Sequence, residues 1–85
     1  MKEIWLFHLP NCPYCRQARQ YIAQLQQENP AYAALSIRLI DESTEVELAE
    51  QHDYYYVPTF YVDGRKLHEG AATKEQVKAV LDAAK

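Results

Sequence analysis

No run of residues in this sequence approaches the ~18 consecutive apolar positions a membrane-spanning helix requires, so no membrane helix is expected within it. Lysine and arginine form no cluster, and the net charge is −3 with both signs interspersed. The chain therefore lacks the electrostatic footprint needed to hold a phosphate backbone or an anionic membrane, and nucleic acid is not an expected partner. Repeats, linkers and low-complexity segments are also missing, so the 85 residues read as a single domain spanning 1–85. Only six apolar or neutral residues, Ile4 to Leu9, separate Met1-Lys2-Glu3 from Pro10-Asn11, too few for a secretory leader. A cytoplasmic location is the resulting expectation. Cysteine is scarce: Cys12 and Cys15 are the only two. In a reducing compartment such a pair is more often catalytic, redox-sensing or metal-binding than a static staple.

Those two cysteines stand in Cys12-Pro13-Tyr14-Cys15, between an apolar strand-like run and the start of a helical pattern. Proline suits the first helical position, where its missing N–H costs nothing, and this makes Cys12 the expected N-cap. Its sulfur then faces the unpaired N–H groups of the opening turn, an arrangement that stabilises a thiolate, the reacting species in disulfide exchange. A free thiol with a pKa near ~8.5 is only slightly ionised at neutral pH, so a drop of about 2 to 4 units is needed to make Cys12 mostly thiolate. That corresponds to roughly 3 to 5 kcal/mol. The helix dipole supplies about 0.3 to 1 kcal/mol, and charge-assisted hydrogen bonds about 1.5 to 3 kcal/mol each, so local hydrogen bonds must carry most of the effect. Cys15, one turn on and more enclosed, is the expected resolving thiol.

The surrounding pattern is that of an α/β domain. Residues 3–9 form a nearly continuous apolar run, the signature of a strand covered on both faces. Ala18, Tyr21, Ile22 and Leu25 follow helical spacing up to Asn29-Pro30, where the helix is expected to end. Leu35, Ile37, Leu39 and Ile40 read as a second strand closing at Asp41. Thr44 and Glu47 have capping-box spacing before a short helix ending near His52-Asp53. Residues 57–62 and 66–69 flank Asp63-Gly64, a dipeptide suited to a tight hairpin. Thr73 and Gln76 repeat the capping-box spacing, and Val77, Val80, Leu81 and Ala84 give a last amphipathic helix. The predicted order is β-α-β-α-β-β-α, with the first two strands parallel.

Other residues extend the candidate site. Arg16 is the candidate for adding positive potential near the thiolate, while Arg19 reads as part of a solvated helix face. His8, at a strand end, reads as a packed residue rather than a proton acceptor or zinc ligand. His52 and His68 fall on separate elements and no second cysteine pair exists, so no four-ligand metal site and no bound cofactor are expected. A proline opening a strand, as Pro58 does, belongs at an edge or beside a bound chain. A cis Val57-Pro58 bond exposes the Val57 backbone for substrate pairing, whereas a trans proline merely starts the strand. Of Tyr54, Tyr55 and Tyr56, one is expected to pack inward and the others to line a groove for a peptide-like thiol.

These residues together resemble the thioredoxin superfamily, and most closely its glutaredoxins, over essentially the whole chain. Cys12-Pro13-Tyr14-Cys15 is similar to the glutaredoxin dithiol motif, Tyr56-Val57-Pro58 stands where that family has Thr-Val-Pro, and Phe60-Tyr61-Val62-Asp63-Gly64 resembles its hairpin. The resemblance implies a thioredoxin fold, a four-stranded mixed sheet flanked by three helices. It implies that Cys12 is an exposed nucleophile, that Cys15 resolves, that Pro58 is cis and faces the disulfide, and that Pro13, Tyr14, Tyr56, Val57 and Pro58 contact substrate. It also implies a monomeric dithiol-disulfide oxidoreductase acting on disulfide-containing proteins or glutathione mixed disulfides. Two stretches depart from the glutaredoxin pattern: Leu9 stands where many members carry a lysine, and Gly70-Ala71-Ala72-Thr73-Lys74 stands where they carry Gly-Gly-x-Asp-Asp. Gly70-Ala71 with a lysine at the helix start is closer to thioredoxin, whose Trp-Cys-Gly-Pro-Cys is absent. Two sources of electrons stay open, glutathione as co-substrate and a thioredoxin reductase-type donor. Outside this class stand a peptide-binding module of the same fold without turnover and a metal carrier using the cysteine pair.

Overall fold

The computed structural model describes residues 2–85. In chain order the elements are β1 (Ile4–His8), α1 (Pro13–Glu28), α2 (Pro30–Ala33), β2 (Ile37–Asp41), α3 (Val46–Glu50), β3 (Thr59–Val62), β4 (Arg65–Glu69) and α4 (Lys74–Ala84). The strands form one mixed sheet in the order β2-β1-β3-β4, with β1 parallel to β2 and antiparallel to β3, and β3 antiparallel to β4. β1 is thus flanked on both sides by strands, as its unbroken apolar run requires. The fold is the thioredoxin fold, with four helices among the described residues rather than three.

The additional helix, α2, begins where α1 was expected simply to stop. Asn29 caps it, its side chain accepting the Ala31 N–H at 3.0 Å, and Pro30 takes the first helical position. The short turn seats Tyr32 and Leu35 in the core, so β2 starts at Ile37 rather than Leu35. α3 also differs: the Thr44/Glu47 box does not form, because the Thr44 hydroxyl bonds the Asp41 carbonyl and the helix starts after Glu45 without a side-chain cap. The Thr73/Gln76 box does form, with both reciprocal bonds in place. Asp63 and Gly64 take φ of 48° and 81°, the positive values a two-residue hairpin turn needs.

Strand alternation divides the interior. Ile4, Leu6, Phe60 and Val62 face α1 and α4, packing on Ala18, Ile22, Leu25, Val77, Val80 and Leu81. Phe7, Ile40 and Tyr61 face the other way, where Trp5, Leu48, Ala49, Tyr54 and Val57 cover them. His8, two residues beyond Leu6, points to the α1 side of the sheet. The β1 end and the α1 start therefore meet at the loop 9–12.

Candidate active site

Cys12 is the N-cap of α1, in extended backbone conformation, and Pro13 follows at the first helical position. Neither cysteine is in a disulfide; Cys12 is half-buried and Cys15 is fully buried. One turn of helix thus gives the two thiols opposite environments. The backbone of Leu9 staples them: its carbonyl accepts the Cys12 N–H at 3.2 Å, and its N–H donates to Cys15 Sγ at 3.5 Å.

At Cys12, partial desolvation raises the thiol pKa, but the Cys15 N–H, the Cys15 thiol, the Tyr14 N–H and the charge of Arg19 together outweigh it. The net result is a thiol held below its ordinary value. Its sulfur closes no full cap hydrogen bond, so these amides act as oriented dipoles rather than as formed bonds. At Cys15 burial dominates; the Leu9 N–H favours the thiolate, but the Cys12 thiol and its charge oppose it, and the group is pushed up to about 11. The chemistry this supports is directional: a half-buried sulfur that ionises more readily than an ordinary thiol, backed by an enclosed one that keeps its proton.

The second group of candidate residues lies at 54–58. The Val57-Pro58 peptide is cis, and the Pro58 carbonyl accepts the Gly70 N–H at 2.8 Å. Because the chain pairs only from Thr59 onward, β3 begins two residues later than sequence patterning implies, and among the described residues nothing hydrogen-bonds the Val57 N–H or carbonyl. Tyr54 is the tyrosine that packs inward, against Phe7, with its hydroxyl donating to Glu42 at 2.8 Å. Tyr55 and Tyr56 are exposed, as is Tyr14. A shallow groove of about 400 Å³ runs from Leu9 past Tyr54 and Tyr55 to Val46, with Glu42 and Glu50 on its rim. A larger one, about 890 Å³, lies between α1, α2 and α4, reaches neither cysteine and is lined by the ion pairs Lys74–Glu28 and Lys78–Asp82.

Two contributions were not visible in sequence patterning. Glu69, at the end of β4, accepts the N–H groups of Tyr55 and Tyr56 at 2.6 and 3.0 Å, and so holds the backbone leading into Val57. Lys66 first, then the Tyr55 amide, keep its carboxyl down at about 2. Its place opposite Thr59 is set by the β3–β4 register, which no local pattern gives. The positive charge acting on the thiols belongs to Arg19, not to Arg16: Arg16 is exposed, while Arg19 bonds His8 and the Pro10 carbonyl. Among the described residues, no three His, Cys, Asp or Glu side chains converge as a metal donor set. Nor, among those residues, is any helix long and apolar enough to cross a membrane.

The sheet order, the Cys12–Cys15 pair at the start of α1 and the cis-proline leading into β3 are those of a thioredoxin-like oxidoreductase domain. The chain belongs to the thioredoxin domain family, whose model matches residues 2–82. A thioredoxin of Methanocaldococcus jannaschii is 30% identical over 73 residues, covering 86% of this chain and 84% of the relative. Among solved structures, a Plasmodium falciparum thioredoxin superposes with a TM-score of 0.75 at 17% identity, covering 99% of this chain and 82% of its own. Fasciola hepatica thioredoxin gives 0.72 at 18% identity, with 99% and 81% covered. At such identities these two establish the shared fold.

Proposed function

We propose that the chain is a dithiol-disulfide reductase of protein substrates, re-reduced by a thioredoxin reductase-type donor in the cytoplasm, and that it works as a monomer. The observation that carries this reading is the asymmetry of the two thiols. Cys12 thiolate attacks one sulfur of a substrate disulfide; that S–S bond breaks, a Cys12–substrate disulfide forms, and the departing substrate thiolate takes up a proton. Cys15 then gives up its proton and attacks Cys12 Sγ. This releases the second substrate thiolate, which accepts a proton, and leaves the Cys12–Cys15 disulfide. Two electrons have moved to the substrate, and the external donor returns them.

The free Val57 backbone beside cis-Pro58 suits an extended peptide flanking the substrate cysteine, with Pro13, Tyr14 and Tyr56 offering apolar contact around it. Charge favours the reductase over glutathione. Residues 41–53 carry six acids and no lysine or arginine, two of those acids rim the groove at Leu9, and glutathione brings two carboxylates of its own. Glutathione remains the second reading because Cys-Pro-Tyr-Cys resembles the glutaredoxin motif.

The test offers the oxidised protein either reduced glutathione or NADPH with a thioredoxin reductase, and follows insulin disulfide reduction. Turnover with the reductase and slow reduction by glutathione are expected. Rapid turnover with glutathione and none with the reductase reverses the assignment of the donor.

A further inference from the structure

Arg19 lies four residues beyond Cys15 on α1, and helical side chains lean toward the N-terminus, so its head group reaches back to the loop that delivers Cys12. Its Nη1 group donates to His8 Nδ1 at 2.9 Å and its Nη2 group to the Pro10 carbonyl at 3.1 Å. Arginine accepts nothing, so His8 Nδ1 is the acceptor and the neutral ring carries its proton on Nε2. His8 is only 8% exposed. The two bonds form a fork across residues 8 and 10, directly before Asn11-Cys12, with the planar guanidinium fixed between the end of β1 and the first turns of α1.

We propose that Arg19 is a positioning residue for the redox pair: pinned by His8 and the Pro10 carbonyl, it holds the Cys12 loop against α1 and fixes one positive charge beside both thiols. The inference rests on the dithiol reading and assigns the charge in that site to a residue and an anchor. Three further observations support it. The charge of Arg19 favours the thiolate at Cys12 and at Cys15 alike. Burial, then Arg19 itself, keep His8 below its ordinary value against the opposing pull of Asp41, so the ring stays an uncharged acceptor at neutral pH. The side chain of Arg16, nearer in sequence, is exposed and makes no hydrogen bond or ion pair among the described residues; only its backbone N–H is engaged, by the Cys12 carbonyl at 2.9 Å.

The geometry also ranks the substitutions. Lysine keeps the charge but, as a point donor, does not span the two acceptors in a fixed plane. Asparagine at position 8 keeps an acceptor oxygen near the place of Nδ1, whereas leucine removes it without changing the charge at neutral pH.

The experiment measures Cys12 alkylation by iodoacetamide against pH, with the site read by mass spectrometry, in the wild type and in Arg19→Gln, Arg19→Lys, His8→Leu and His8→Asn. Unfolding curves of each are recorded beside it. Arg19→Gln and His8→Leu are expected to raise the midpoint, with thiolate at pH 6 reduced on the order of threefold, which is about half a pKa unit. Arg19→Lys falls between them and the wild type, and His8→Asn stays close to the wild type. A lost packing contact alone shifts the unfolding curves and leaves the midpoint in place. Wild-type profiles in every folded variant overturn the proposal, and Arg19→Lys and His8→Asn keep it testable if the harsher changes do not fold. A wild-type Cys12 that titrates at or above an ordinary thiol overturns the dithiol reading instead.

Discussion

At Cys12 and Cys15 a single helical turn separates two sulfurs of the same chemistry, and solvent access sets them apart. The N-cap position leaves Cys12 reachable and turned toward amide dipoles, while Cys15 sits on the buried stripe with Ala18 and Ile22. The same residue-scale logic governs Asp82. The Tyr32 hydroxyl donates to it at 2.6 Å, Lys78 and Lys85 lie beside it, and with Tyr32 as the largest cause its pKa falls to about 2. A depressed folded-state pKa contributes stability above the unfolded carboxyl value near 3.8, and this is lost as pH falls toward 2. Asp82→Asn is therefore expected to flatten the acid limb of stability between pH 4 and 2, measured by urea unfolding across that range. The group is exposed enough for solvent to screen part of the effect. Among site residues, the placement of Cys12, Pro13 and Cys15 was legible because it depends on local helix geometry. Arg19 was not: on α1 it has the spacing of a solvated residue, and only the returning β1 end supplies His8 and Pro10 as acceptors.

Elements reach the site mainly through their ends. The loop between β4 and α4 presents the Gly70 N–H to the Pro58 carbonyl, which ties the cis-proline segment to the entry of the last helix. Gly70 has φ of +89°, and a Cβ there meets nothing nearer than Tyr56 Cβ at 3.9 Å. Space is available, so the penalty for a side chain is backbone strain. Gly70→Ala is expected to lower stability by about 1 to 2 kcal/mol in urea denaturation, with insulin reduction slowed as the Pro58 segment it anchors shifts. β1, the hairpin and α4 were readable because burial pattern, turn residues and cap chemistry agreed there. α2 was missed because Asn29-Pro30 both ends one helix and begins the next, and the two outcomes share one signature. The start of α3 was misread because Asp41, from the neighbouring strand, competes for the caps: its carboxylate accepts the Ser43 N–H and hydroxyl, and its carbonyl accepts Thr44.

On the scale of the whole molecule, the central strand places the redox pair where both halves of the interior end. Ile4 and Leu6 anchor β1 against α1 and α4, Phe7 anchors it against the Tyr54 and Tyr61 side, and the next residues form the loop holding Cys12. The acid-rich stretch 41–53 then gives one flank of that loop a single sign of charge, which bears on the choice of reductant. Fold class followed from element order; the cis Val57-Pro58 bond did not, because a proline opening a strand reads the same in sequence whether its bond is cis or trans. The central claim, that electrons leave through Cys12 and are completed by Cys15, is tested most directly by trapping. Each single serine variant is incubated with a disulfide-bonded peptide and the adduct located by mass spectrometry. Cys15→Ser is expected to accumulate a peptide disulfide on Cys12 that the wild type resolves, and Cys12→Ser to remain unmodified. An adduct on Cys15 in Cys12→Ser, or none on Cys12 in Cys15→Ser, contradicts it.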